Sequence, residues 1–196
     1  VLVPGLVSLE LEPVEDAAAL DRLALWALRY APIVAPDPPD GFIIVTTGAD
    51  HLHGGEAAML ANLVLRMKAS GIAACAAVAD SWGTSYAAAR FLAHPVAIIP
   101  PGHAKAAMRD LPIRALRLPA PIVDGLHVLG FERIRDIEDT PKAPLTHRFG
   151  PELMRRLDQA MGRAAEPFEP VRSAELIEVR RAFGEPIGAA ETIARY

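Results

Sequence analysis

The residues with the types and spacing for chemistry fall in four places. Asp40 closes the proline-rich run PDPPDG and is followed by Gly41. A carboxylate there stabilises a tight turn, whereas two-metal chemistry needs two or three clustered carboxylates. Asp50, His51, His53 and Glu56 lie within DHLHGGE. Alternate residues of an extended segment share a face, so these four are a candidate metal set, set against a plain polar loop leading into a helix. Cys75 is the single cysteine, in GIAACAAVA; no internal disulfide can form, and the run reads as a small buried core residue. Arg114, Arg117, Arg133, Arg135, Arg148, Arg155 and Arg156 are candidate phosphate contacts, or equally a solvated helix face.

Charge favours the same region for anion contacts. The chain carries −4 overall, which is no basic footprint, yet residues 111–163 hold 9 Lys+Arg against 7 Asp+Glu. With 196 residues, 52% hydrophobic and 22% charged, the chain can bury one core or a core and a small satellite, and is not disordered. No 18-residue apolar run suggests a membrane span. The apolar start VLVPGLVSLELEP lacks the basic region and cleavage site of a signal peptide, and the chain does not open with Met. It reads as part of a longer, cytosolic protein.

Among the elements that must position these residues, EDAAALDRLALWALRY (15–30) predicts a helix with Leu20, Leu23, Ala27 and Tyr30 on one face, ended by Pro32. Ile33 and Val34 begin an extended segment, PDPPDG is a rigid connector and turn, and FIIVTT (42–47) is a buried strand. Gly54-Gly55 precede a helix from Glu56 to Ala69 that buries Met59, Leu60, Leu63, Val64 and Met67. A buried strand over 72–79, a helix near Ser85–Leu92 and a strand at 96–99 complete an α/β layer. Pro100-Pro101-Gly102 marks a boundary. Residues 103–163 read as short helices with no strand, Leu126, Leu129, Ile134 and Ile137 packing one hairpin and Leu153, Leu157 and Met161 facing the core of the last helix. EPFEPVRSAE then reads as a linker, and 175–183 as the start of another strand.

YAPIVAPDPPDGFIIVTTG, AAVADSWGTSYAAARF, the 111–141 segment and HRFGPELMRRLDQAMGR, taken in order, resemble the Y-family (UmuC-like) translesion DNA polymerases, and the runs DPPDG, ADSWG and AFGEPI resemble their inducible-mutagenesis B branch. The resemblance covers about Pro4 to Ile187. It implies a palm-like α/β domain with the end of the fingers (1–101), a helical thumb with a helix-hairpin-helix (102–166), and a linker opening the little finger (167–196). It places Asp40 on a metal-binding position as a vestigial candidate, and Gly41 and Val45 where the other acids belong. Ser81, Trp82 and Tyr86 stand where an Asn and phosphate-holding lysines are expected, and Leu118-Pro119-Ala120 where a glycine hairpin meets DNA. Arg114, Arg117, Leu118, Ala120, Arg133 and Arg148 are thereby the candidate DNA contacts.

The branch implies a bacterial, non-catalytic adaptor in damage-induced translesion synthesis that holds primer–template DNA weakly. Its implied partners are a sliding clamp, an error-prone polymerase subunit and a RecA-like accessory protein, through motifs outside this chain. No cofactor is expected on that reading. The alternative is an active DNA-directed DNA polymerase with a reduced Mg²⁺ site.

Overall fold

The computed structural model describes residue 10 and residues 12–172. Helix α1 (Pro13–Ala27) opens with Pro at its first turn and Glu15 and Asp16 near its positive end. It buries Leu20, Ala24 and Ala27, and ends three residues earlier than the expected stop before Pro32. Tyr30 lies beyond the helix and is buried, its hydroxyl donating to Asn62 Oδ1 at 2.9 Å. Burial holds the Tyr30 hydroxyl above its ordinary pKa, against the opposing pull of Arg66 and Arg29.

Strands β1 (Val34–Asp37) and β2 (Gly41–Ile44) form an antiparallel hairpin in which Val34 faces Ile44 and Asp37 faces Gly41. The ladder differs from the expected connector, because Pro36 pairs with Phe42 inside it. A proline is tolerated in a two-stranded ribbon, where its missing N–H need not face a partner. The turn is thus only Pro38-Pro39-Asp40. The second strand stops at Ile44, not Thr47, and is half-buried. The Val45 amide still donates to the Ile33 carbonyl at 3.0 Å.

A 3₁₀ turn at Asp50–His53 leads through Gly54 and Gly55, both at positive φ, into α2 (Glu56–Ala69). Met59, Leu60, Leu63 and Met67 make its buried stripe, as the spacing predicts, and Val64 is half-buried. Strand β3 (Ala76–Val78) pairs in parallel with β4 (Val96–Ile98), and α3 (Trp82–Phe91) crosses between them. β3 is far shorter than the expected 72–79, since a ladder extends only as far as its three-residue partner. The residues just before it line an open groove instead of a covering layer. Cys75 is accordingly exposed, correcting its expected place in the core.

Five helices follow: α4 (Ala104–Met108), α5 (Ala120–Val128), α6 (Ile134–Glu138), α7 (Lys142–Phe149) and α8 (Pro151–Ala160), with a 3₁₀ turn at Ile113–Leu116. Apart from the isolated bridge between Pro112 and Arg133, none of 103–163 is extended pairing, as expected. Ile113, Leu116, Leu126, Ile134, Ile137, Leu153 and Leu157 are almost wholly buried in one cluster. Each such side chain stabilises the fold by about 1.5–3 kcal/mol through apolar burial. Leu129, expected in this core, is exposed, because it caps α5 at the turn. Met161 packs half-buried against the cluster. The extended segment after α8 carries no strand through Arg172, and the strand expected at 175–183 lies outside the described residues.

Helix α3 belongs to both halves. Its N-terminus follows β3, while Ala87 lies in the core of the helices. Ser81 caps α3 by accepting from the Thr84 amide at 3.2 Å. The Thr84 hydroxyl donates to the Ala160 carbonyl at 2.5 Å and the Ser81 hydroxyl at 3.1 Å, satisfying the end of α8. Gly83 permits the approach: a Cβ there would stand 2.6 Å from the Ala160 Cα. The obstacle is backbone, so Gly83→Ala is expected to destabilise the fold by roughly 1–3 kcal/mol, read as a lowered denaturant midpoint. An unchanged midpoint would mean the two helices are free to part.

Candidate nucleotide and DNA sites

The hairpin turn and α3 both line the groove of ≈ 930 Å³ and touch each other at its edge. The Arg90 guanidinium reaches the Asp40 carboxylate at 2.5 Å. It also lies 3.9 Å above the Tyr86 ring. A Cβ on Gly41 would sit 3.3 Å from Arg90 Nη2. Asp37, which sequence reasoning did not single out, accepts from the Trp82 indole N–H at 3.3 Å. Thus the carboxylate of the turn and that of the last β1 residue are engaged by a cation and by an indole. Val45 is half-buried and brings no oxygen. The spacing of Asp37 from Asp40 around the turn was the available signal for its role.

Trp82 and Tyr86 do not leave an empty place where cations are expected. The Arg117 guanidinium lies 4.4 Å from the Trp82 ring and 4.9 Å from the Tyr86 ring. It donates two hydrogen bonds to the Glu166 carboxylate, at 2.7 and 2.5 Å. Arg156 meets the same carboxylate at 2.8 Å. The Glu166 side chain is only 8% exposed and that of Arg117 13%. Arg117, a candidate DNA contact by sequence, therefore spends its charge inside the protein. It takes a left-handed backbone, φ 56°, which a non-glycine residue adopts at a cost of about 1–2 kcal/mol.

The remaining candidate DNA contacts lie on the helices. Arg114 is exposed, its guanidinium 5.4 Å from the Phe91 ring. Arg148 is exposed beside the Phe149 ring, at 5.8 Å. Arg133 donates to the Asp110 carbonyl and Arg135 to the Asp110 carboxylate. Arg155 pairs with Glu152, and Arg156 with Glu152 as well as Glu166. The two arginines hold Glu152 ionised below its ordinary range, the Arg155 bond first.

Leu118-Pro119-Ala120 connects the 3₁₀ turn to α5, Pro119 preceding its first residue. The glycine-bearing turn between consecutive helices is instead Leu129-Gly130-Phe131, with Gly130 at φ 82°. The amides between that turn and α6 are taken up internally: Asp136 Oδ2 accepts from Glu132 at 2.9 Å and Arg133 at 2.7 Å.

The four residues of the candidate metal set are not brought together. His53 Nε2 bonds the Tyr30 carbonyl at 3.1 Å and its ring packs on Tyr30, while His51 is exposed. Among the described residues no group of three or more His, Cys, Asp or Glu side chains is placed to hold a metal. The loop is ordered by the Tyr30 contact and the Gly54-Gly55 turn, which point these side chains apart. Also among the described residues, no helix is long and apolar enough to cross a membrane.

Comparison with known proteins places this geometry in a known class. DinB from Sulfolobus solfataricus superposes with a TM-score of 0.60 over 81% of this chain and 48% of its own, at 17% identity. The fold is that of a Y-family polymerase, an α/β layer followed by a helical bundle. Protein ImuB from two strains of Caulobacter vibrioides is 45% identical over 194 residues, 99% of this chain and 42% of the relative. Over this segment the chain is similar to the ImuB proteins, on a Y-family fold. It spans about two-fifths of the length of those curated relatives. No protein-family model matches the chain.

The capping of α6 gives a pH test. Backbone hydrogen bonds, from Arg133 first and Glu132 second, hold the Asp136 carboxyl below its ordinary 3.8. A depressed carboxylate contributes stability that is fully present above pH 3.8 and lost as pH falls through the lower folded value. Asp136→Asn is expected to remove that acid-limb dependence and to speed amide exchange at Glu132 and Arg133. Exchange at those amides that matches the parent would show that the carboxylate is no cap.

Proposed function

We propose that the segment is the body of a non-catalytic, polymerase-derived adaptor in damage-induced translesion synthesis, one that positions DNA and partners without transferring nucleotides. One observation carries this reading. The hairpin's Asp40 is tied to Arg90, with Gly41 and Val45 beside it in place of further acids. Two-metal transfer needs clustered, free carboxylates to hold the ions on the attacking and leaving oxygens. Phosphate-holding lysines are likewise replaced by Trp82 and Tyr86, whose rings are covered by the chain's own arginines. No resident cofactor belongs to this reading.

The α/β layer with the end of the fingers over 1–101 is the palm-like part, 102–166 the thumb, and 167–196 the opening of the little finger. Helix α3 is shared between the first two through Ala87. Helices α5 and α6 with their Gly130 turn are read as the helix-hairpin-helix. Weak DNA contact falls on the exposed Arg114 and Arg148, with backbone contact near Leu118 and Ala120. A sliding clamp and an error-prone polymerase subunit would be reached through parts of the protein outside this segment, in the bacterial cytoplasm.

Single-nucleotide incorporation by the full-length protein on a primer–template, with Mg²⁺ and then Mn²⁺, tests the reading. The expected outcome is no product beyond an Asp40→Ala control. Product that Asp40→Ala abolishes would make Asp40 a working Mg²⁺ ligand and establish the alternative, an active polymerase with a reduced site. Duplex affinity is expected to fall with salt, and Arg114→Ala or Arg148→Ala to lower the slope by about one for each phosphate the variant no longer neutralises. Titrations across a salt series check this; slopes identical to the parent's would remove both residues from the interface.

A further inference from the structure

We propose that residues 163–171 form a clasp that locks the helical bundle onto the hairpin, with Glu166 as its keystone. The segment leaves α8 and returns across the face of α3 to β1, touching every element on the way. Gln159 of α8 holds its start, donating to the Ala165 carbonyl at 3.3 Å. Glu166 then joins Arg117, which follows the 3₁₀ turn of the bundle, to Arg156 of α8. Phe168 sets its ring edge-on to Trp82, centroids 6.0 Å apart. The Val171 amide donates to the Val34 carbonyl at 2.8 Å, and its side chain packs on the cluster of Ala24, Ala27 and Val34.

Trp82 and Tyr86, the two rings that Arg117 covers, are linked in turn to the hairpin. Trp82 donates to Asp37, and Arg90, stacked on Tyr86, holds Asp40. Bundle, α3, turn and returning segment therefore share one stack of guanidinium and aromatic groups. Glu166 is the anion that lets it close. Without its charge, Arg117 and Arg156 converge on one poorly solvated point and repel each other. The left-handed backbone of Arg117 is further evidence of a held geometry, since such a conformation persists where the surroundings over-determine it. The consequence is that the hairpin turn and the bundle move as one unit.

Amide exchange in the full-length protein reads the clasp. Glu166→Gln keeps shape and an acceptor oxygen but removes the charge. It is expected to speed exchange across 163–172, including Val171, by about tenfold, the loss of one charged hydrogen bond. The Trp82 indole N–H is expected to exchange faster with it. Glu152→Gln, which breaks pairs with Arg155 and Arg156 but leaves Glu166, is expected to leave 163–172 at the parent rate. Unchanged exchange in Glu166→Gln, or an equal rise in Glu152→Gln, would overturn the clasp. Where Glu166→Gln yields no folded protein, Arg117→Gly decides. It deletes the guanidinium while relieving the left-handed backbone, and parent-like exchange over 163–172 in that variant would equally overturn the proposal.

Discussion

The seating of the end of α8 on the start of α3 is the constraint from which the arrangement of the molecule follows. Two hydroxyls meet one carbonyl there, and the missing side chain of Gly83 lets two backbones come together. That contact fixes α3 against the bundle. α3 in turn presents Trp82, Tyr86 and Arg90 toward the hairpin turn at a set height. A helix otherwise confined to the α/β layer is thereby made part of a second core through Ala87. Asp80 adds to the joint by accepting from the Gly102 amide at 2.8 Å, tying the Pro100–Gly102 connection to the residue before the α3 cap.

Around that joint the protein satisfies its charges internally. Arg90, Arg117, Arg133, Arg135, Arg155 and Arg156 each find a carboxylate or carbonyl of the same chain. Isolated exposed pairs of this kind contribute little stability, at most about 1 kcal/mol each. The Arg117–Glu166–Arg156 group is different, being desolvated and stacked on rings. The same chemistry that makes an anion site in other settings is here closed by the chain's own carboxylate. A local excess of positive charge along 111–163 therefore does not translate into an equally basic surface.

Periodicity made the helices legible. The bounds of α2 and its stripe of Met59, Leu60, Leu63 and Met67 follow from spacing alone, because burial of one helix face is a local pattern. The strands were legible as places but not as lengths. A ladder ends where its partner ends, so 72–79 contracts to Ala76–Val78 against a three-residue β4. Cys75 misled for a related reason, since an apolar run does not say where a strand begins or what covers the residues before it. At the candidate site, Asp40, Trp82 and Tyr86 were visible by position in the chain. Their partners were not: Asp37, Arg90, Arg117 and Glu166 bond across separations of 45 to 50 residues that only the tertiary fold brings together. The four-residue candidate metal set failed because sequence proximity in DHLHGGE does not fix side-chain direction through a 3₁₀ turn and two positive-φ glycines.

The groove between the two small sheets bears on how this segment behaves in solution. Among the described residues β2 and β3 each pair with one neighbour, and both line the groove with apolar side chains such as Phe42, Ile44 and Val78. Unpaired strand edges are templates for intermolecular pairing. Here the edges are four and three residues long and recessed, and the hairpin turn beside them is rich in proline, which cannot donate to a ladder. Shortness and the neighbouring prolines thus limit what these edges can template.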